Sequence, residues 1–99
     1  GAGVESLTRT WAVEWGRHGV RCVAVAPGLV RTEAWERYGV SPETASAVVP
    51  LGRLQSPEEV AATVAFALSP AGAYITGCTI TADGGLDVSG PGSAFGTPT

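Results

Sequence analysis

The sequence contains no lysine, and its six basic residues are outnumbered by nine acidic ones. A net charge of −3 at pH 7 is a poor electrostatic footprint for nucleic acid or an anionic membrane, so neither is an expected partner. Cysteine is also scarce. The two cysteines, Cys22 and Cys78, are too few for a disulfide framework or a zinc site. No metal site is predicted, and a reduced, cytoplasmic protein fits this composition.

Long apolar runs are also absent, which argues against a membrane span. No charged start precedes an apolar core, so no signal peptide is expected. Apolar residues nevertheless make up 44 % of the 99 residues, which argues against disorder for the body of the chain. A chain of this length can bury one modest core, as one domain or part of one.

The hydrophobic pattern predicts a helix over residues 4–17, because Val4, Leu7, Trp11 and Trp15 recur at steps of three and four. A buried strand is predicted over residues 20–26, where small and β-branched residues end at Pro27-Gly28. A short helix is predicted to start at residues 41–43.

The second half of the chain has a strong helix start at residues 56–59, where Ser, Pro and Glu are spaced as a capping box requires. Val60, Val64 and Leu68 then recur along one helical face until Ser69-Pro70 ends the helix. A second strand is predicted over residues 74–82, with a turn at residues 83–85. Residues 89–99 form a tail rich in Gly, Pro and Ser.

The predicted order is helix, strand, helices, strand, which makes a right-handed βαβ unit with two parallel strands. The leading helix carries two Trp and needs a sheet to cover, while an isolated two-stranded sheet leaves its edges unpaired. The pattern therefore predicts the C-terminal part of a larger α/β domain over residues 1–88.

Seven short pieces, in order and spacing, resemble the short-chain dehydrogenase/reductase family: AGVESLTR (2–9), AVEW (12–15), VAPG (25–28) with Thr32, PLGR (50–53), PEEV (57–60), ITG (75–77) and DGG (83–85). The resemblance implies a Rossmann-type, doubly wound parallel sheet that binds NAD or NADP. It also implies hydride transfer to or from a carbonyl or an activated alkene. AVEW and residues 69–77 are similar to the 2,4-dienoyl-CoA and trans-2-enoyl-CoA reductases of that family.

The family's proton donor, a Tyr with a Lys four residues on, has no match in this chain. Pro42 follows Tyr38 by four residues, Cys78 follows Tyr74 by four, and the aligned Lys position falls on Gly1. The family's glycine-rich phosphate turn is missing as well. We therefore predict no catalytic residue within these 99 residues and no turnover from the chain alone, as part of a larger oxidoreductase.

The best candidate site follows the first strand, where open α/β sheets bind ligands. By resemblance, Pro27, Gly28, Leu29, Val30 and Thr32 form the loop that contacts the nicotinamide end of the cofactor. From spacing alone, a plain strand-ending turn remains the alternative.

Residues 33–49 occupy the position of the family's substrate lid. Trp35 and Tyr38 are candidate substrate contacts there for an acyl chain, with covering of the core as the alternative. Arg31, Arg37 and Arg53 are candidate ligands of a CoA phosphate, with solvated surface charge as the alternative.

Three further features favour structural interpretations. His18 fits a helix end, the two cysteines fit buried apolar thiols, and Asp83 fits a turn. A second function stays open: a non-catalytic remnant that acts as an interaction module. By resemblance, the first helix and the last strand are the elements through which a homo-oligomer would form.

Overall fold

A computed structural model describes residues 2–89, and the helices and strands follow the predicted order. The elements are α1 (Ala2–Gly16), β1 (Val23–Pro27), α2 (Ala34–Arg37), α3 (Pro42–Ser46), α4 (Pro57–Leu68), a 3₁₀ turn (Pro70–Gly72) and β2 (Cys78–Ala82). β1 and β2 are hydrogen-bonded neighbours in a parallel sheet, and the crossover between them contains α2, α3 and α4. The predicted α/β, Rossmann-type class is confirmed.

The chain divides into two compact units. The first runs through Ala26 and resumes over Ala61–Thr81, and the second contains Pro27–Val60 and continues from Ala82. Residues 86–89 are helical, and most of the predicted tail, residues 90–99, lies outside the described part. Within residues 2–89, no helix has both the length and the apolar character needed to cross a bilayer.

The buried positions of α1, in the first unit, carry small side chains. Thr8 and Ala12, one turn apart on α1, are buried, and a Cβ built on Gly77 would lie 3.3 Å from the Ala12 Cβ. The Thr8 hydroxyl donates to the Val4 carbonyl at 2.7 Å, so this polar group is satisfied inside its own helix.

The predicted apolar face of α1 forms as a helical stripe, yet the described residues leave it open. Val4, Leu7, Trp11 and Trp15 are 38–57 % exposed. The two indole rings stack with centroids 5.2 Å apart and an interplanar angle of 11°. We call these four residues the α1 stripe.

The second strand begins four residues later than predicted. Residues 70–72 form a 3₁₀ turn and residues 73–74 a further turn, after which the Ile75 N–H donates to the Gly72 carbonyl. Gly77 has a φ of +72° and donates its N–H to the Cys22 carbonyl, so pairing with the first strand starts only there. Tyr74, inside the predicted strand, is fully exposed.

The prediction of buried cysteines is also wrong in this part of the chain. Cys78 is exposed at the start of β2 and Cys22, just before β1, is only half-buried. Both thiols are free. The N–H of Cys22 is held by the Thr76 hydroxyl at 3.0 Å, which replaces the first rungs of the predicted pairing.

The capping box at the start of α4 forms as predicted. The Ser56 hydroxyl accepts the Glu59 N–H at 3.1 Å, and the Glu59 carboxylate accepts the Ser56 N–H at 2.9 Å. The Arg53 guanidinium adds two parallel hydrogen bonds to the same carboxylate, each 2.7 Å long. The Arg53 bonds, followed by the Ser56 N–H, lower the pKa of Glu59 to about 2.

Because the pKa of Glu59 is lower in the folded state than its ordinary value, its stabilising effect is complete above that ordinary value and is lost as pH falls towards 2. An NMR titration of the Glu59 side-chain carboxyl is expected to give a midpoint near 2. In the Arg53→Gln variant the midpoint is expected to rise towards the ordinary value of 4.5, because the largest cause is removed. An unchanged midpoint in that variant would contradict this assignment.

Candidate cofactor and substrate site

The predicted cofactor loop begins where β1 ends, at Pro27-Gly28. Gly28 lies against the chain just after β2, because a Cβ built on Gly28 would lie 2.8 Å from the Asp83 Cα and 3.0 Å from its carbonyl oxygen. Only glycine allows so close an approach of the two backbones. The Gly28 N–H donates to the Gln55 side-chain oxygen at 3.2 Å.

Val30 forms a parallel bridge with Gln55. The Gln55 N–H donates to the Leu29 carbonyl at 2.9 Å, and the Arg31 N–H donates to the Gln55 carbonyl at 2.7 Å. Gln55 therefore bonds to the two residues that flank Val30, and in such a parallel bridge the N–H and C=O of Val30 itself point away from Gln55. The backbone of Val30 therefore presents its polar groups on the side opposite Gln55.

Trp35 closes that side of the loop. Its indole Nε1 donates to the Val30 carbonyl at 2.6 Å, which fixes the ring against the loop. Trp35 is half-buried, whereas Tyr38 is 80 % exposed. The Tyr38 side chain is therefore largely open to solvent among residues 2–89.

An open cavity of about 280 Å³ joins the two predicted sets of residues. Its lining consists of Val30 and Thr32 from the cofactor loop and Trp35, Tyr38 and Val40 from the lid segment. Pro27, Gly28 and Leu29 do not line it and instead hold the base of the loop. The lining residues are mainly apolar; Thr32 and Tyr38 carry hydroxyl groups, and the Trp35 indole N–H is engaged by the Val30 carbonyl.

The lid segment, residues 33–49, lies within the second unit, and hydrogen bonds fix the chain at its end and just beyond it. Ser41 caps α3 by accepting the Thr44 N–H at 3.1 Å, as its predicted helix start requires. Leu51 donates its N–H to the Gly84 carbonyl at 3.1 Å. Asp83 uses both carboxylate oxygens for backbone N–H groups of Gly85 and Asp87, so it acts as a turn residue.

The other candidate residues are not among those that line the cavity. Arg31 and Arg37 are exposed, and Arg53 pairs with Glu59, so this guanidinium is engaged at the helix start. His18 donates its backbone N–H to the Trp15 carbonyl beyond the end of α1, as a residue at a helix terminus does. No group of three or more potential metal ligands is assembled within residues 2–89.

Gln55 is the residue that sequence reasoning missed. Three of its atoms hold the cofactor loop, at Gly28, Leu29 and Arg31. A glutamine before a capping box carries no local signal for such a role, because its partners lie 24–27 positions away in the sequence.

Comparison with known proteins gives a consistent set of relatives. A family model described as enoyl-(acyl carrier protein) reductase matches residues 2–87. A Bacillus subtilis protein described as a probable 2,4-dienoyl-CoA reductase is 52 % identical over 89 residues, which is 85 % of this chain and 35 % of that protein. A mouse (3R)-3-hydroxyacyl-CoA dehydrogenase is 43 % identical, covering 86 % of this chain and 33 % of its own length. The chain thus spans about a third of these relatives.

Solved structures show the same fold. An oxidoreductase of the short-chain dehydrogenase/reductase family from Burkholderia thailandensis is 41 % identical with a TM-score of 0.77, and the match covers 86 % of this chain and 34 % of that one. A Brucella melitensis protein described as ribose-5-phosphate isomerase is 38 % identical with a TM-score of 0.83, and the match covers 97 % of this chain and 38 % of that one. Since one fold carries different activities, the isomerase description says nothing by itself about this chain's chemistry.

Proposed function

Since this chain belongs to the short-chain dehydrogenase/reductase family, whose members use NAD or NADP, we propose that it forms the nicotinamide and substrate side of such an oxidoreductase. The observation that carries this proposal is the cavity at the end of β1. It brings Val30 and Thr32 of the cofactor loop together with Trp35 and Tyr38 of the lid.

The groups around this cavity suit a nicotinamide carboxamide. A carboxamide needs a hydrogen-bond donor for its oxygen and an acceptor for its NH₂ group. The N–H of Val30, which points away from Gln55, supplies the donor. The Thr32 hydroxyl makes no hydrogen bond within residues 2–89 and can serve as donor or as acceptor. Trp35 and Val40 offer the apolar surface that a planar ring requires.

In this proposal the bound cofactor supplies the hydride, and this chain's residues bind and orient it. Val30 and Thr32 set the orientation of the carboxamide, while Trp35 limits water at the reacting face. The proton that accompanies the hydride comes from a Tyr–Lys pair outside these 99 residues, because no lysine is present here.

An enoyl-CoA or other acyl-thioester substrate is the finer part of the proposal. The apolar cavity accepts an acyl chain, and two relatives are named for acyl-CoA substrates. The exposed Arg31 and Arg37 are free to meet CoA phosphates from the surface of the second unit. The substrate in this proposal is a small molecule and the location is the cytoplasm; the net charge of −3 agrees with the expectation that nucleic acid is no partner.

Replacing Thr32 by valine keeps the side-chain volume and removes the hydroxyl. We call the full-length protein that this proposal implies, of which these 99 residues are a part, the genome-encoded protein. In that protein, the change is expected to raise the Kd for NADH or NADPH about three- to tenfold, because one hydrogen bond to the cofactor is lost. Isothermal titration calorimetry with both dinucleotides measures it. The matched control is Thr10→Val on the exposed surface of α1, which is expected to bind like the wild type. Equal Kd values for all three proteins would contradict the proposed contact.

A second candidate function is a non-catalytic interaction module. The exposed α1 stripe supports it, since an apolar helical face of this kind suits self-association through the first helix. β2 adds a second element for the same homo-oligomer. Hydride transfer by the genome-encoded protein would exclude the module as its sole function.

A further inference from the structure

Gln55 holds the cofactor loop by its main chain and by its side chain. The main-chain bonds to Leu29 and Arg31 form a parallel bridge that any residue except proline could make. The side-chain bond to the Gly28 N–H, at 3.2 Å, depends on the residue type. Because an N–H can only donate, the Gln55 atom that faces it is the amide oxygen.

The Gly28 N–H is the first backbone donor beyond β1, and Gly28 is half-buried. On another side, Gly28 touches the backbone of Asp83, so this residue has little room to move. The bond from Gln55 therefore fixes the start of the loop whose next residues reach the cavity at Val30 and Thr32.

The segment that carries Gln55 is itself anchored. Arg53, two residues earlier, binds the Glu59 carboxylate, and Ser56, the next residue, exchanges two hydrogen bonds with Glu59. Gln55 is thus held between two residues tied to the start of α4. A side chain on such a fixed base can set the position of its partner within a few tenths of an ångström.

We infer that Gln55 is a positioning residue for the cofactor loop, acting through the Gly28 N–H on the orientation of Val30 and Thr32. It does not line the cavity, so its effect on a dinucleotide is indirect. This inference rests on the proposed function, because it concerns affinity for NADH or NADPH.

The test uses the genome-encoded protein and two variants of similar size. Gln55→Leu removes the acceptor, whereas Gln55→Glu keeps an oxygen at the same reach. The Gln55 amide nitrogen makes no hydrogen bond within residues 2–89, so Gln55→Glu loses no hydrogen bond there. Two readouts are measured: hydrogen exchange of the Gly28 amide by NMR, without ligand, and the Kd for NADH and NADPH by calorimetry.

In Gln55→Leu, exchange of the Gly28 amide is expected to accelerate about tenfold, and Kd to rise about three- to tenfold. Gln55→Glu is expected to stay within about twofold of the wild type in both readouts, because acceptance of one N–H is retained. The control Ser69→Ala, which removes a hydrogen bond to the Phe66 carbonyl at the end of α4, is expected to change neither.

The outcomes separate the inference from the proposed function. If the wild type binds a dinucleotide and Gln55→Leu binds it equally well, the positioning role is overturned while the proposed function stands. Equal weakening by Gln55→Leu and Gln55→Glu also overturns the role, since the acceptor would then be irrelevant. If the wild type binds neither dinucleotide, the proposed function fails and this inference fails with it.

Discussion

Replacing Gly28 by alanine is expected to destabilise the protein by about 1–3 kcal/mol, the usual range for an extra methyl group in a filled space. The added Cβ would lie 2.8 Å from the Asp83 Cα and 3.0 Å from the Asp83 carbonyl oxygen. Both of these atoms belong to the backbone, so no side-chain rotation relieves the clash. Either the cofactor loop or the turn after β2 must move.

Movement of the loop has a second expected consequence. A shift of Gly28 lengthens the hydrogen bond from its N–H to Gln55 and moves Val30 and Thr32 out of their positions in the cavity wall. Gly28→Ala is therefore expected to weaken binding of NADH or NADPH more than tenfold, whereas loss of one hydrogen bond costs less. Denaturant unfolding and calorimetry measure the two effects.

Gly16→Ala is the matched control for this change. Nothing lies within 4 Å of a Cβ built at Gly16, which is the last residue of α1 and has no positive φ. Alanine there is expected to leave stability unchanged or raise it by about 0.5–1 kcal/mol. If Gly28→Ala has the same free energy of unfolding and the same Kd for NADH or NADPH as Gly16→Ala, the close packing of Gly28 on Asp83 plays no part in the site.

Features specified by neighbouring residues could be predicted from the sequence. The start of α4 is the clearest case, because Ser56 and Glu59 satisfy each other's N–H groups with no help from elsewhere in the chain. The Ser41 cap of α3 and the turn at residues 83–85 have the same local origin. Resemblance added the family and the position of the cofactor loop.

Features that depend on distant partners could not be predicted. The start of β2 is set by the bond from Gly77 to Cys22, and Arg21 reaches the Ile75 carbonyl from 54 positions away. The composition of residues 74–77 favours a strand as much as that of residues 78–82 does, so the predicted strand starts four residues too early. Gln55 escaped prediction for the same reason, since its role exists only once Gly28 is placed beside it.

The α1 stripe shows a different limit. Its helical spacing was correctly predicted, and its need for a cover was inferred from two tryptophans on one face. The described residues leave that face exposed. Periodicity identifies an apolar face but carries no information about whether another segment or a second copy covers it.

We propose that this chain supplies the cofactor and substrate side of a reductase and that the proton donor of the reaction lies outside these 99 residues. A hydride-transfer assay tests both parts of the proposal, with NADH or NADPH and a 2-enoyl-CoA, a 2,4-dienoyl-CoA or a 3-oxoacyl-CoA. The genome-encoded protein and the purified 99-residue chain are compared at equal concentration.

We expect turnover from the genome-encoded protein and none from the 99-residue chain. Neither Tyr38 nor Tyr74 has a lysine four residues on, so the chain has no Tyr–Lys pair to deliver the proton. Turnover by the 99-residue chain would contradict the assignment of the proton donor to another segment. Absence of turnover from the genome-encoded protein with all of these substrates would contradict the proposed reductase and favour the interaction module.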